Sequence, residues 1–295
     1  MKNKQLKHKT LKIKITGASG YLGNYIANFL IEKGHKVSGI ERKFLYGSTN
    51  DLQTEIRNCD TIINLAGAPI LQQWTDKNKA TILDSRVKTT QNLVQAINNL
   101  PLDEQPKKFI SASAIGVYAI GYLHDESSQN FDDGFVGNVV KQWEAASNSL
   151  SPNIQRNIFR IGIVLGKEAK TITNLLLPFK LGLGATLGIG KQPFPFVHIN
   201  DVARAFTWSV EDLNTNGVFN LVAPENISNK DFTKVLAKSL GRPAIFSIPE
   251  FVLKAVLGEA SVLMIKGAQV EPKNLLNAGF DFQYPDINSA LKEIV

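Results

Sequence analysis

Lys12-Ile13-Lys14-Ile15-Thr16-Gly17-Ala18-Ser19-Gly20-Tyr21-Leu22-Gly23 is the stretch that most narrows what this 295-residue chain can become. A β-branched run ends in three glycines spaced G-x-x-G-x-x-G, and an apolar-periodic segment (Leu22, Ile26, Phe29, Leu30) follows at once. The pattern predicts strand, tight turn, helix. Glycine is needed where a turn takes positive φ and where backbone must approach a ligand closely. The first turn of the new helix points unpaired N–H groups and the positive end of its dipole at that turn, which suits a phosphate. At the head of the first β-α unit this is the context of a dinucleotide fingerprint, and it outweighs a plain glycine turn between two core elements.

The chain continues in the same rhythm. Residues 22–33 predict a helix stopped by Gly34, and Lys36–Ile40 a short strand. Glu41-Arg42-Lys43 falls at the strand's C-terminal end, where a doubly wound sheet meets the adenosine ribose. An acid there accepts from a ribose 2′-OH, and an arginine clamps a 2′-phosphate. The two-cation cluster Arg42-Lys43 points to NADP(H). Residues 44–52 are short for a β-α unit, so the third strand is expected to be abbreviated. Residues 61–65 predict an apolar strand running into small residues, Ala66-Gly67-Ala68. Residues 75–99 predict a long helix capped by Thr75, with Arg86 midway along it. A strand at 109–112 leads into Ser113-Ala114-Ile115-Gly116-Val117-Tyr118, and residues 135–150 predict a helix. A strand at 155–161, a helix at 201–211 capped by Asn200, a strand at 219–222 and a helix at 228–240 capped by Ser228 follow. Repeated strand–helix alternation implies a parallel sheet covered on both faces, hence an α/β fold.

Beyond Gly166 the texture changes to glycine-rich and proline-marked segments that end in an amphipathic helix from about Asp286. The organisation expected is a doubly wound Rossmann sheet over 1–165, which also takes in about 196–222. Residues 166–195 and 223–295 form a smaller C-terminal substrate lobe at the sheet's C-terminal edge.

Charge and cysteine content exclude several classes. The net charge of +7 suggests nucleic acid, but six of the lysines lie in residues 1–14 with no acid among them, leaving about +1 for the rest. A weak arm for RNA or anionic lipid is therefore the weaker reading of that terminus. The single cysteine, Cys59, excludes an intramolecular disulfide, and with four scattered histidines it leaves no metal cluster. No apolar stretch reads as an export signal or a membrane span, so a reducing cytoplasm is expected.

Several separated motifs resemble one family. Residues 16–23 (T-G-A-S-G-Y-L-G), 64–69 (N-L-A-G-A-P), Trp74, Ser85-Arg86, 111–118 and Trp143-Glu144 carry the first part of the match. Residues 160–166 (R-I-G-I-V-L-G), 178–184 (P-F-K-L-G-L-G), 198–201, Gly258-Glu259, Pro272 and Gly279-Phe280 carry the rest. In this order they resemble the extended short-chain dehydrogenase/reductases, in the atypical epimerase-family branch. The resemblance implies NAD(P) binding, with Gly17, Ser19, Gly20, Tyr21, Leu22 and Gly23 at the pyrophosphate and Arg42 and Lys43 at the 2′-phosphate. It sets Leu65, Ala66 and Gly67 near the adenosine and ribose, and adds Arg86 to the cofactor-binding residues, at the place where extended members carry an asparagine. Ser113 falls near the serine that contacts the substrate oxygen, with Ser111 as a competitor.

One departure is plain. The superfamily's catalytic Tyr-x-x-x-Lys pair, in which lysine and ribose lower a tyrosine pKa for proton exchange, is replaced here by Phe135 and Val139. Tyr118 becomes a candidate acid/base, with a buried, satisfied tyrosine as its bland alternative. His198 and Asp201 are expected to tie the lobe to the core. Glu144 is expected to make a structural helix contact, and Arg86 to bind an anion or to pair with Asp84 or Glu144. The functional expectation is an NADP(H)-dependent oxidoreductase or epimerase acting on a small polar or nucleotide-linked substrate. The alternative is a non-catalytic NADP(H)-binding redox sensor or scaffold.

Overall fold

The computed structural model describes residues 9–295. The expected Lys-rich arm lies largely outside them. Of its described lysines, Lys12 and Lys14 belong to the first strand, and Lys14 pairs with Glu55 at 2.6 Å.

The first strand, β1 (Lys12–Thr16), alternates exposed Lys12 with buried Ile13 and Ile15. It pairs in parallel with β2 (Lys36–Ile40) on one side and β3 (Thr61–Asn64) on the other. Beyond β3 come β4 (Lys108–Ala114), then, after the two-residue β5 (Leu123–His124), β6 (Gln155–Ile161). Next in the chain are β7 (Ile163–Leu165), β8 (Ala185–Leu187), β9 (Phe196–His198) and β10 (Gly217–Leu221). The main sheet has six parallel strands in the order β10-β6-β4-β3-β1-β2. Its order reverses at β1, so the glycine turn after β1 stands at the topological switch point, where α/β sheets bind ligands.

The helices cover both faces. They are α1 (Tyr21–Glu32), α2 (Arg42–Leu45), α3 (Thr49–Ile56), α4 (Asp76–Asn98) and α5 (Phe135–Ala145), then α6 (Lys170–Lys180), α7 (Ile199–Glu211) and α8 (Asn229–Ser239). Thr75 caps α4 as its sequence suggests, accepting from the Asn78 N–H.

Three expectations change. The segment after β2 holds two short helices and no abbreviated strand, and β2 is the sheet edge. Ser48 caps α3 through the Asp51 N–H, and Leu45, Leu52 and Ile56 bury against Leu93 and Ile97 of α4. Helical spacing thus satisfies the segment's few apolar residues, while charged and small residues (Lys36, Ser38, Gly39) blunt the exposed edge. Helix α5 stops at Ala145, ten residues after Phe135, and the rest of the expected helix is turn. Helix α7 is capped by His198, whose Nδ1 accepts from the Asn200 N–H at 3.2 Å; Asn200 lies inside the first turn and donates to Gln283.

One apolar cluster fills the space between sheet, α1 and α7, with Ile15, Ile63, Phe159, Phe206 and Phe219 among its members. A second holds Ile172, Phe179, Phe232, Leu236 and Leu291, from α6, α8 and the C-terminal helix Ile287–Ile294, with Phe194 from the segment before β9. α8 opens with a reciprocal capping box between Ser228 and Asp231. Buried Asp201 stitches the two together: its carboxylate accepts from the N–H groups of Gln283 and Tyr284 and from Arg204. His198 Nε2 lies 3.1 Å from Glu293 of the C-terminal helix; burial lowers its pKa, and Glu293 partly offsets this. Both residues therefore act as ties between segments. No described helix is long and apolar enough to cross a membrane.

Candidate functional site

The crevice along the C-terminal ends of β1, β3 and β4 is built first from backbone. Gly17 has φ +69°, and a Cβ there would lie 2.9 Å from the Leu65 carbonyl oxygen. A Cβ at Gly23 would fall 2.2 Å from the Gly17 oxygen, so α1 can start this close to the turn only because residue 23 is glycine. Gly20 occupies the N-cap of α1 and supplies no side-chain cap, leaving the first-turn N–H groups facing outward from the turn. Ser19 and Gly20 are exposed, while Tyr21 and Leu22 are half-buried.

Two polar side chains fix this edge. Thr16 Oγ1 donates to Asn64 Oδ1 at 2.8 Å and accepts from the N–H groups of Leu65 (3.0 Å) and Ala66 (3.1 Å). Asn64 in turn donates to Thr90 of α4. This bond set lays Leu65-Ala66-Gly67 beside the glycine turn. Sequence reasoning gave Thr16 and Asn64 no such role; a buried polar residue at the end of each of two adjacent strands was the available signal. Tyr21 reaches from α1 towards Gly166, where an added Cβ would meet its hydroxyl at 2.2 Å; burial pushes that phenol up to about 12.

At the outer end, after β2, Glu41 pairs with Lys43 at 3.0 Å. The acid and one cation of the cluster cancel, and exposed Arg42 is left with its guanidinium 5.4 Å from the Tyr46 ring and no carboxylate partner among the described residues.

At the inner end the side chains form a closed network. Ser113, on β4, donates to Glu144 Oε1 at 2.5 Å. Glu144 takes Arg160 in a two-pronged ion pair at 2.8 and 2.7 Å. Burial lowers the Arg160 pKa, but Glu144 more than offsets it, so the guanidinium stays charged. Arg160 also donates to the Tyr118 hydroxyl at 2.8 Å, and that hydroxyl donates to Asn220 Oδ1 at 2.8 Å. Tyr118 is 2% exposed, and burial raises its pKa against the pull of Arg160. Ser111 is buried and occupied by Ala112 O and Asn64. Of the catalytic candidates, Ser113 and Tyr118 therefore share one network, centred on Arg160. Arg160 was quoted within a motif and given no part; nothing in the sequence marks it as the partner of Glu144, sixteen residues away.

Phe135 and Val139 occupy the first two turns of α5. Val139 is 3% exposed, and Phe135 meets Trp74 edge-on at 4.9 Å. Lys79 of α4 lies 5.6 Å from the Phe135 ring and pairs with Glu259. Arg86, a turn pair further along α4, lies 5.3 Å from the Trp143 ring; it pairs with neither Asp84 nor Glu144, the former being held by Lys88 and the latter by Arg160. No group of side chains able to hold a metal occurs among the described residues.

A six-stranded parallel, doubly wound sheet with a glycine turn at its switch point defines a Rossmann-type protein of the extended short-chain dehydrogenase/reductase class. Comparison with known proteins narrows this. Residues 13–134 match the NAD dependent epimerase/dehydratase family, and residues 248–294 match a domain of unknown function, DUF1731. The human epimerase family protein SDR39U1 is 33% identical over 97% of this chain and all of its own length, and the YfhF epimerase family protein of Bacillus subtilis 31% over 97% and 98%. A crystal structure of human SDR39U1 with NADPH superimposes with TM-score 0.90 at 32% identity, covering 96% of this chain and 99% of the other. The chain belongs to the epimerase family.

Proposed function

We propose that this chain binds NADP(H) and acts as an oxidoreductase or epimerase on a small polar or nucleotide-linked substrate, without the usual Tyr-x-x-x-Lys pair. The observation that carries the reading is the cradle: two glycines whose added Cβ atoms would strike backbone, beside an uncapped helix start. That room and those donors fit a pyrophosphate. In this reading Gly17, Ser19, Gly20, Tyr21, Leu22 and Gly23 line the pyrophosphate, and Leu65, Ala66 and Gly67 the adenosine and ribose. Arg42, free of Glu41, takes the 2′-phosphate, with Lys43 beside it. The NADPH of the human relative's structure supports the same choice. When bound, the nicotinamide supplies hydride chemistry.

Of the chain's own groups, Ser113 is proposed to hold the substrate oxygen, its hydroxyl donating a hydrogen bond to Glu144 in the resting network. Tyr118 keeps its proton, because burial holds the phenol neutral, and positions Arg160. A reducing, cytoplasm-like compartment goes with a buried free thiol at Cys59.

The second reading, a non-catalytic NADP(H) redox sensor or scaffold, draws on the same network: both candidate hydroxyls are already engaged, and Phe135 offers no proton.

The test is a thermal-shift titration followed by turnover. NADPH is expected to raise the melting temperature well beyond NADH; equal shifts sink the NADP assignment. NADPH oxidation across carbonyl and sugar-nucleotide substrates, lost in Ser113→Ala, supports an enzyme. Tight NADPH binding with no turnover on any substrate favours the sensor.

A further inference from the structure

The C-terminal part of the chain leaves one apolar face open. Helix α9 (Glu250–Leu257) follows the short strand β11 (Phe246–Ile248). Its inner side carries Leu253, buried, and Leu257, half-buried. Phe251, Val252, Ala255 and Val256 lie on the other side at helical spacing, and all four are exposed. A helix apolar on two sides suits a place between two apolar layers, and here the outer layer is solvent. The face continues beyond the helix. β11 pairs in parallel with β8, and the Gly188 N–H donates to the Ile248 carbonyl at 2.9 Å. This pairing brings Leu183 and Ile189, which flank β8, beside Ile245 and the start of α9; a Cβ at Gly188 would lie 3.3 Å from Glu250 Cγ. The chain enters β8 from the end of α6, where Leu177 and Leu181 are more than half exposed. Contiguous apolar surface of this kind marks a place of interaction.

The charge around the face is one-sided. Residues 177–191 and 242–256 carry Lys180, Lys191, Arg242 and Lys254 against Glu250 alone, in a chain that nets about +1 after residue 14. All four cations are exposed, and only Lys254 has a carboxylate, Glu250 at 3.8 Å, among the described residues. Lys234 and Lys238 of α8 line one shallow depression with Arg242.

Two features select what covers the face. A second copy related by a two-fold axis would set these cations against their own images, which opposes association. Phe251, Ile189 and Ile245 stand 73%, 73% and 78% exposed, so they are knobs and not the walls of a groove that seats a partner's anchor residues. An anionic bilayer surface accepts both: knobs enter the acyl boundary, and lysine stems lie along it with their ammonium groups at the phosphates. We propose that α9, the β8–β11 pair and the end of α6 together seat this protein peripherally on an anionic membrane surface.

The test is flotation of the full chain with vesicles of phosphatidylcholine alone and of an equimolar mixture of phosphatidylcholine and phosphatidylglycerol. Binding to the mixed vesicles is expected to be at least about tenfold tighter and to weaken with salt. Phe251→Asp is expected to cut it about tenfold or more with the melting temperature unchanged. Lys180→Gln combined with Lys254→Gln is expected to weaken it about tenfold at low salt. The emission of Phe251→Trp is expected to shift to the blue on mixed vesicles and to be quenched by brominated acyl chains. Absence of binding to mixed vesicles overturns the proposal. Binding unchanged in Phe251→Asp also overturns it, assigning lipid contact to the lysines of residues 1–14; should that variant not fold, an unmoved Phe251→Trp emission decides in the same way. Equal binding to both vesicle types overturns it too, since the cations would then have no part. A dimer in sedimentation equilibrium that Phe251→Asp dissolves, with no vesicle binding, overturns it and gives the face to a second copy.

Discussion

The two ends of the crevice are made of different material. The glycine end is backbone: Gly17, Gly20 and Gly23 contribute space and N–H groups, and the only side chains that matter, Thr16 and Asn64, serve to hold main chain in place. The serine end is side chain: Ser113, Glu144, Arg160, Tyr118 and Asn220 exist as a site only through one another. Backbone sites tolerate change around them, because any sequence with glycine at the right places rebuilds the cradle. Side-chain networks do not, since each member's state depends on its partners. On α5, Phe135 and Val139 stand where the resemblance expects the tyrosine and the lysine.

Perturbing each end separately probes this contrast. The largest effect is expected at the serine end. Arg160→Met strands the half-buried Glu144 carboxylate and should cost about 3 kcal/mol, read by denaturant unfolding. A loss under about 1 kcal/mol would mean that the network is not a stability element. Next is Gly23→Ala. Its Cβ meets backbone that cannot swing aside, so a loss of about 2–3 kcal/mol is expected together with loss of the NADPH-induced thermal shift. Retained NADPH binding in that variant would break the claim that the cradle is made of space.

Arg42→Ala should act on affinity alone. NADPH binding should weaken about tenfold, NADH binding should not change, and stability should move by less than about 0.5 kcal/mol. Ser113→Ala removes one donor from Glu144, which keeps Arg160; about 1 kcal/mol is expected, small beside Arg160→Met if the ion pair carries the network.

The smallest effect is at Asp125, whose carboxyl is held down to about 2 by hydrogen bonds from Lys273 and then Ser127. A depressed carboxylate stabilises above its unfolded pKa and loses that contribution as pH falls through the folded value, so the window runs from about pH 4 down to about 2. Lys273 is exposed and Asp125 half-buried, so the contribution is small: Asp125→Asn should lower melting slightly at pH 7 and remove that same part of the fall in stability between about pH 4 and 2. A clear loss at pH 7 would show that the loop whose Asp125 carbonyl lies 3.1 Å from the Tyr118 hydroxyl depends on this bridge.

The fold was legible wherever the code is local. The β-branched run of β1, the caps at Thr75 and Ser228 and the glycine spacing all act over a few residues, and each is found where the sequence sets it. It was not legible where two local solutions compete. The 44–52 segment suits a short strand or a short helix equally, and burial against Leu93 and Ile97 chose helix. At α7 the imidazole of His198 took the capping place that Asn200 suits by propensity.

The sequence by itself determined that a parallel α/β sheet would present a glycine cradle, and that Phe135 and Val139 would leave the usual acid/base pair out, because these depend on residue type at fixed spacing. Only the tertiary structure decided which charges cancel. Glu41 went to Lys43, Glu144 to Arg160 and Glu259 to Lys79, leaving Arg42 and Arg86 without a carboxylate partner among the described residues. The reason is range. A turn or cap is fixed by neighbours in the chain, while an ion pair is fixed by which side chains packing brings within 4 Å, and here those partners lie 2, 16 and 180 residues apart.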